Sequence, residues 1–306
     1  MSNPMRNTDF RSIVEPILNK EFDGIYDIRE DEYKEVFKVI DGTPRDRHEE
    51  PVLFGFGAAP ELPDGMPVTY QAGGVLYIKQ YVYRQYGLAF ALTNILIEDG
   101  DHIRIGQIYS RHLANSMVET KETLAANVLN NAFSSSYTGG DGAALISTSH
   151  PTATGATLSN QLTTAAALSQ TSVEQMLIQI RQMTDANGKK IHLAPNKLIV
   201  PPQNEFQAET ILKSVLRTGT ANNDINPFVS KGMLKGGSAV ITRLTSSTAW
   251  FVKMGNVTDG LKCVMRRGMK KSMEGDFETD SMRYKTTERY NIGWTDWRDL
   301  FGTSGS

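Results

Sequence analysis

The sequence predicts an α+β fold organised around one very long helix and one very long strand. From His102 to Phe133, apolar residues recur mostly at three- and four-residue steps, the spacing of one face of an amphipathic helix. From Met282 to Trp294, apolar and polar residues alternate, as in a strand with one face exposed to water. At about 1.5 Å per helical residue and about 3.3 Å per strand residue, each element spans roughly 40–45 Å. Two such elements indicate an elongated slab with the helix laid along a sheet, a shape that catalytic domains seldom need.

Composition and charge exclude several classes of protein. A chain of 306 residues can bury a substantial core and corresponds to about two domains. Its 32 basic and 34 acidic residues give a net charge of -2, so sequence-specific DNA binding is not expected and only loose contact with nucleic acid is compatible. Cys263 is the only cysteine, which excludes an intrachain disulfide. The polar first residues and the lack of a long apolar run predict a soluble cytoplasmic product that does not enter a membrane.

The secondary structure of the segments before the long helix is predicted from the positions of Pro and Gly and from runs of β-forming residues. Residues 1–50 contain many charged residues, which predicts a surface arm with one short helix. Residues 51–74 hold four prolines and five glycines, which predicts a long loop. The β-rich run Val75–Arg84 completes an extended hairpin or tongue, and Leu88–Thr93 is a second short strand. Asp99–Asp101 then supplies a turn and the N-cap of the long helix.

The segments after the long helix predict a second, α/β domain. Ser134–Ser169 is rich in Gly, Ser, Thr and Ala, a linker-like composition that marks a domain change. The capping-box spacing of Thr171 and Glu174 begins the next helix. The predicted elements are a helix at Val173–Asp185, a buried strand at Lys197–Val200, a helix at Glu205–Leu216, a loop at Thr218–Gly237, and two short strands at Ala239–Thr242 and Ala249–Val252.

Few sequence motifs indicate a catalytic, cofactor or metal site, and none is predicted. No two of the five histidines have the i, i+4 spacing that places two imidazoles on one metal ion. Ser149 and His150 are adjacent, but a catalytic triad requires convergence in space, and loop polarity explains the pair better. The run Gly55–Pro60 lacks the third glycine of a dinucleotide fingerprint and no helix follows it. Cys263 is either a reactive thiol or, as we expect, a buried inert one.

Two groups of side chains are candidates for contacts between subunits. A basic cluster at Lys262, Arg266, Arg267, Lys270 and Lys271 predicts a solvated strand face or a subunit contact, with nucleic-acid contact as the weaker alternative because no aromatic residues interleave it. Aromatic residues around the tongue are either ordinary core or anchors of an intersubunit contact. The predicted interface residues are Phe54, Phe56, Tyr70, Tyr77, Tyr81, Arg266 and Arg267.

Three segments, taken with the order of elements, resemble one protein family. Gly139–Pro151, with the sequence GGDGAALISTSHP, follows the long helix. Leu198–Pro202 leads into the helix at Glu205–Leu216, and Arg289–Trp294, RYNIGW, closes the long strand. In this order, over roughly residues 10–300, the chain resembles the major capsid (major head) protein of tailed bacteriophages, whose fold encapsulins share.

The resemblance implies a division of the chain into four parts. They are an N-terminal arm at 1–50, an extended loop or β tongue at 51–84, a peripheral domain at 85–144 and 263–306, and an α/β axial domain at 145–262. The peripheral domain would contain the spine helix, residues 102–133, and the long strand.

The resemblance also implies a function in assembly without catalysis. The chain would form hexamers and pentamers of an icosahedral phage head that encloses double-stranded DNA, touched non-specifically, and it would be assembled in the host cytoplasm as part of the virion. A short arm in place of the long charged segment of some members implies a separate scaffolding protein, alongside portal and decoration proteins. No covalent crosslink through Lys79 is expected. The alternatives are the shell of an encapsulin-type nanocompartment and, less favoured, a cytoplasmic hydrolase using Ser149 or Cys263.

Overall fold

The structure is a computed structural model that describes residues 7–27, 31–93, 95–96, 102–217, 224–276 and 281–305. It combines helices with two four-stranded sheets, which confirms the predicted α+β class. In chain order the helices are α1 (Asn7–Tyr26), α2 (Glu32–Val36), α3 (His102–Asn130), α4 (Gln170–Arg181), α5 (Glu205–Lys213) and α6 (Pro227–Ser230). The strands are β1 (Lys38–Asp41), β2 (Arg47–Phe54), β3 (Gly74–Val82), β4 (Arg84–Thr93), β5 (His150–Pro151), β6 (Thr157–Leu158), β7 (Pro195–Val200), β8 (Ser238–Val240), β9 (Trp250–Met254), β10 (Leu261–Asp276), β11 (Ser281–Trp294) and β12 (Leu300–Thr303).

The first sheet has the strand order β1-β10-β11-β4 and contains the predicted long strand, β11. Its alternation holds: Met282, Tyr284 and Tyr290 are buried while Arg283 and Lys285 are exposed. Its antiparallel neighbour β10 is longer still at 16 residues, a length that was not predicted. Irregular pairing around Arg267 breaks the period of two in β10, so the pattern of one continuous strand is lost from its sequence.

The predicted long helix is confirmed as α3, with 29 residues. Its apolar face, including Leu113, Met117 and Leu129, is buried, as the three- and four-residue spacing requires. The turn predicted at Asp99–Asp101 lies outside the described residues.

The prediction of a surface arm with one short helix before residue 50 is wrong, because α1 has 20 residues and packs along α3. Val14, Leu18 and Phe22 are fully buried in a cluster with α3 and the first sheet. The close approach of α1 to α3 depends on Gly106 of α3, where a Cβ atom would lie 3.1 Å from a methyl carbon of Leu18. The charges of α1 concealed this apolar stripe in the sequence.

The predicted tongue is an antiparallel hairpin of β2 and β3 joined by residues 55–73, which have no regular secondary structure. We call residues 55–73 the tongue loop. Its prolines lack a backbone N–H donor and its glycines disfavour an ordered strand, so the ladder stops at the pair Phe54 and Gly74.

The second sheet has the order β12-β9-β7-β8, with α4 and α5 beside it and α6 packed on α5. The capping box at Thr171 and Glu174 is wrong: α4 begins at Gln170, and the N-cap is Ser169, whose hydroxyl accepts from the backbone N–H of Ser172. The segment Ser134–Ser169 is also not a linker, because Leu145, Ile146 and Leu162 lie in the main core and Asn160 is fully buried. Small residues there allow close packing, which composition alone does not distinguish from mobility.

One large hydrophobic core runs between the two sheets. Leu129 of α3, Tyr290 of the first sheet and Phe251 of the second belong to it. The last strand, β12, pairs with β9, so the chain returns to the second sheet after β11. The four-part division of the chain stays a prediction. None of the helices in the described part of the chain is long and apolar enough to cross a membrane.

Candidate subunit interface

The tongue loop presents the largest run of exposed apolar side chains. Tyr70 is 96% exposed and Phe56 is 59% exposed, and both were predicted interface residues. Other large apolar side chains of the hairpin are also exposed: Leu53, Leu62, Met66, Val68, Val75 and Ile78. A monomeric soluble protein rarely leaves so many large apolar side chains exposed along one segment, so this surface is suited to a protein contact.

Two of the predicted interface tyrosines anchor the hairpin within its own subunit instead. Tyr81 is only 1% exposed, and its hydroxyl lies 2.7 Å from Oγ1 of Thr295. Tyr77 is half-buried and donates to the carbonyl of Thr295 at 3.0 Å. Tyr81 therefore has almost no surface for a neighbour, which corrects its assignment. Phe54, also half-buried, lies where the hairpin meets the tongue loop.

An ionic cluster around the buried Lys262 fixes the base of the hairpin to the first sheet. Lys262, predicted to lie on a solvated face, is 3% exposed and places its Nζ atom 2.6 and 2.7 Å from the carboxylate oxygens of Glu50 and 2.9 Å from Asp259. Burial opposes ionisation of Glu50, but hydrogen bonds from Lys262 and Thr295 outweigh it and hold its pKa below the usual value. The hairpin is thus rigid at its base and exposed at its tip.

The rest of the basic cluster is divided between internal contacts and an open face. Arg266 donates to the carbonyl of Pro44 at 2.9 Å, and Lys271 pairs with Asp23 at 2.5 Å, so both act within the subunit. Arg267 of β10 lies opposite Arg289 of β11 in the strand register, on the side of the first sheet that α3 does not cover. We call this side the open sheet face; its basic residues are Arg267, Lys270, Arg283, Lys285 and Arg289.

Two side chains of the second sheet's region hold the start of the tongue loop. Asn187 donates from Nδ2 to the carbonyl of Gly55 at 2.7 Å, and Lys189 donates from Nζ to the carbonyl of Phe56 at 3.2 Å. Lys79, on β3, is packed over the ring of Trp294 at 4.8 Å, and burial lowers its pKa. These contacts orient the hairpin and leave the far part of the tongue loop uncovered.

The candidate nucleophiles do not lie in catalytic arrangements. His150 is fully buried: Nδ1 lies 2.6 Å from Oδ2 of Asp141, Nε2 lies 3.1 Å from Oδ1 of Asn160, and the ring stacks on Trp297 at 4.0 Å. Ser149 is exposed and its hydroxyl lies 3.4 Å from that of Ser147. His150 is therefore engaged as a structural side chain.

The thiol of Cys263 is buried, and that burial raises its pKa to about 12, which disfavours the thiolate needed for attack. No group of three or more metal-binding side chains occurs among the described residues.

With this geometry in place, comparison with known proteins decides the family. The sequence model described as phage capsid protein matches residues 79–301. The chain belongs to the phage capsid protein family. It is therefore a structural component of a capsid shell and of the virion, and the fold is that of phage capsids. No curated protein matches the sequence.

Solved structures share the fold at low sequence identity. The procapsid protein of bacteriophage JBD30 is 14% identical, with a TM-score of 0.56 over 100% of this chain and 77% of that chain. The mature capsid protein of bacteriophage PhiM1 is 12% identical, with a TM-score of 0.56 over 90% and 87% of the two chains. A virus-like particle from Pyrococcus furiosus is also 12% identical, with a TM-score of 0.53 over 94% and 98%.

Proposed function

We propose that this capsid protein is the major capsid protein of a tailed phage and assembles itself into the hexamers and pentamers of an icosahedral head around double-stranded DNA. The match of the phage capsid family over residues 79–301 carries the proposal. The long exposed hairpin supports it, since a shell subunit needs a surface that only a neighbour can cover.

In this function the tongue loop of one subunit lies on the open sheet face of its neighbour. The tongue loop contains Glu61 and Asp64 and has no Lys or Arg. The open sheet face carries Lys270 and Lys285 as exposed cations without an ion pair among the described residues. It also exposes Glu274, so its basic charge is a net excess, and small residues of β4 leave it flat. Acidic and apolar groups on one side thus meet basic groups on a flat surface, which favours correct pairing of subunits.

The remaining partners follow from the same function. A separate scaffolding protein would direct curvature, a portal protein would occupy one vertex, and a decoration protein would bind the finished shell. The near-neutral net charge of -2 suits weak, non-specific contact with packaged DNA. Assembly would take place in the host cytoplasm.

The second candidate is a nanocompartment shell that encloses a protein cargo instead of a genome. The likeness to the virus-like particle from Pyrococcus furiosus favours it, although that likeness concerns the fold alone. A hydrolase is not proposed, because Cys263 and His150 are both buried in structural contacts.

The experiment is to express the full chain with and without the scaffolding protein of its phage and to measure mass by sedimentation velocity. Particles of shell size are expected, and their ultraviolet absorbance ratio reports whether they contain nucleic acid. Replacing Lys270 and Lys285 by Glu should lower the yield of particles while the subunit stays folded. A chain that stays monomeric at high concentration under all conditions contradicts the proposal, and particles filled with protein alone favour the nanocompartment.

A further inference from the structure

A second surface of the molecule combines an apolar floor with a basic rim. It is a cleft of about 490 Å³ between the end of α4, the segment that enters β7, and the turn after α6. Leu177, Leu193 and Met233 form its floor. We call it the α4 cleft. Its lining includes no residue of the open sheet face or of the tongue loop.

The rim of the α4 cleft is cationic. Arg181, His192 and Lys231 line it and are all exposed. None of the three forms an ion pair with any described residue, and no described residue that lines the cleft is acidic. Elsewhere on this chain exposed cations are often paired, as Lys213 is with Glu209.

The end of α4 would normally oppose an anion, because the last carbonyls of a helix carry partial negative charge. Here Lys190 donates from Nζ to the carbonyl of Gln182, the residue that follows α4. This contact satisfies one of the terminal carbonyls and places a further cation beside the cleft. The cations of the rim therefore favour a negatively charged ligand in the α4 cleft, while His192 also borders a separate cavity lined by Asp185, Asp259 and Asp296.

We propose that the α4 cleft binds a short acidic peptide segment of a second protein. Carboxylates of the segment pair with Arg181 and Lys231, and His192 donates a ring N–H in either neutral tautomer. An apolar side chain of the segment covers Leu177 and Met233. The volume of the cleft lies in the range of sites that hold a small ligand or a few side chains.

The chemistry of the cleft favours a peptide over nucleic acid. Single-stranded nucleic acid binds where bases stack on aromatic side chains, and apart from His192 no aromatic residue lines the cleft. An aliphatic floor instead matches Leu, Ile or Met. An acidic loop from a second copy of this chain is the other possible occupant, and the test separates it from a different protein.

The test measures fluorescence anisotropy of a fluorescein-labelled peptide that alternates Glu with Leu, titrated with the full-length unassembled chain. We expect saturable binding that weakens as salt is raised. The double variant Arg181→Glu with Lys231→Glu should bind at least about tenfold more weakly. The matched control is Lys20→Glu with Arg45→Glu, which makes the same change of net charge at exposed residues outside the cleft and should bind as the parent does. Two further peptides, with Lys in place of Glu and with Ser in place of Leu, should both bind weakly.

Particle formation is the second readout, measured by electron microscopy on the same variants expressed without a scaffolding protein, so that only copies of this chain take part in assembly. If a different protein occupies the cleft, the Arg181→Glu, Lys231→Glu variant assembles normally. If that variant folds by circular dichroism but fails to assemble while the control succeeds, the occupant is a second copy and the proposal is wrong. No saturable binding, or equal weakening by the control variant, also overturns it.

Discussion

At the scale of single residues, a buried ion pair joins the long helix α3 to the long strand β11. Nζ of Lys121 on α3 lies 2.9 Å from Oε2 of Glu288 on β11, and both side chains are at most 5% exposed. Tyr26 of α1 donates its hydroxyl to Glu288, and burial together with the Glu288 charge raises the pKa of Tyr26, so it stays a donor. Sequence reasoning missed this cluster because Glu288 occupies an inward position of the alternating strand, where an apolar residue is expected.

Replacing Lys121 by Ala should destabilise the subunit strongly. The substitution leaves the Glu288 charge in the core without its partner, which costs about 3–5 kcal/mol in comparable buried pairs. The urea midpoint of the unassembled chain measures this, with Lys20→Ala on the surface as control. Equal midpoints for the two variants would show that Glu288 is satisfied without Lys121.

Glu122, the next residue of α3, predicts a dependence of stability on pH. Burial, then the nearby Glu32, raises its pKa to about 7, while Arg243 and the backbone N–H of Tyr33 partly offset this. A carboxyl group whose pKa is raised on folding binds its proton more tightly in the folded state, so its contribution to stability falls as pH rises from about 4.5 to about 7. Glu122→Gln should therefore unfold at higher urea than the parent at pH 8 and close to it at pH 4.

The control for this variant is Glu61→Gln in the tongue loop, which should leave the urea midpoint unchanged at both pH 8 and pH 4. An equal gain for Glu122→Gln at both pH values would mean that Glu122 keeps its charge in the folded chain.

At the scale of secondary structure elements, period and length were predictable and pairing was not. The apolar period of α3 and the alternation of β11 are local, so each was found from the sequence within a few residues. The partner strand β10 and the packing of α1 depend on contacts far apart in the chain, such as Leu18 against Gly106. The basic cluster of β10 was predicted to be solvated for the same reason, since the ion pair of Lys262 with the distant Glu50 is not visible in the sequence.

Leu124→Pro should abolish soluble protein, because proline in a helix interior costs about 3 kcal/mol or more and the half-buried Leu124 side chain is lost as well. Soluble yield and far-ultraviolet circular dichroism measure the effect. The neighbouring exposed position gives the control, Thr123→Ala, which should express normally. Unchanged yield and helicity for Leu124→Pro would contradict a continuous α3.

At the scale of the whole molecule, the candidate interface was only partly predictable. The exposed Phe56 and Tyr70 were expected from their place beside breakers, whereas Tyr81 belongs to the core of its own subunit. An aromatic side chain in a strand can face either way, and the pairing of β2 with β3 decides which. The α4 cleft could not be found from the sequence, because its lining comes from three separate segments.

The tongue loop should be cut readily by protease in unassembled subunits and be protected in particles. Its prolines and glycines prevent a packed element of its own, and only its first residues are held by Asn187 and Lys189. Cleavage sites identified by mass spectrometry measure this, with the masses of uncut fragments as an internal reference. Equal cleavage rates in the two states would contradict a contact across the subunit boundary.

The most direct test of the central claim is a cryo-electron microscopy reconstruction of the particles formed by the full chain. The account predicts a closed icosahedral shell in which the tongue loop of each subunit lies on the open sheet face of a neighbour, with Tyr70 covered. A closed shell in which Tyr70 remains in solvent, or the lack of any closed particle with and without a scaffolding protein, would contradict it.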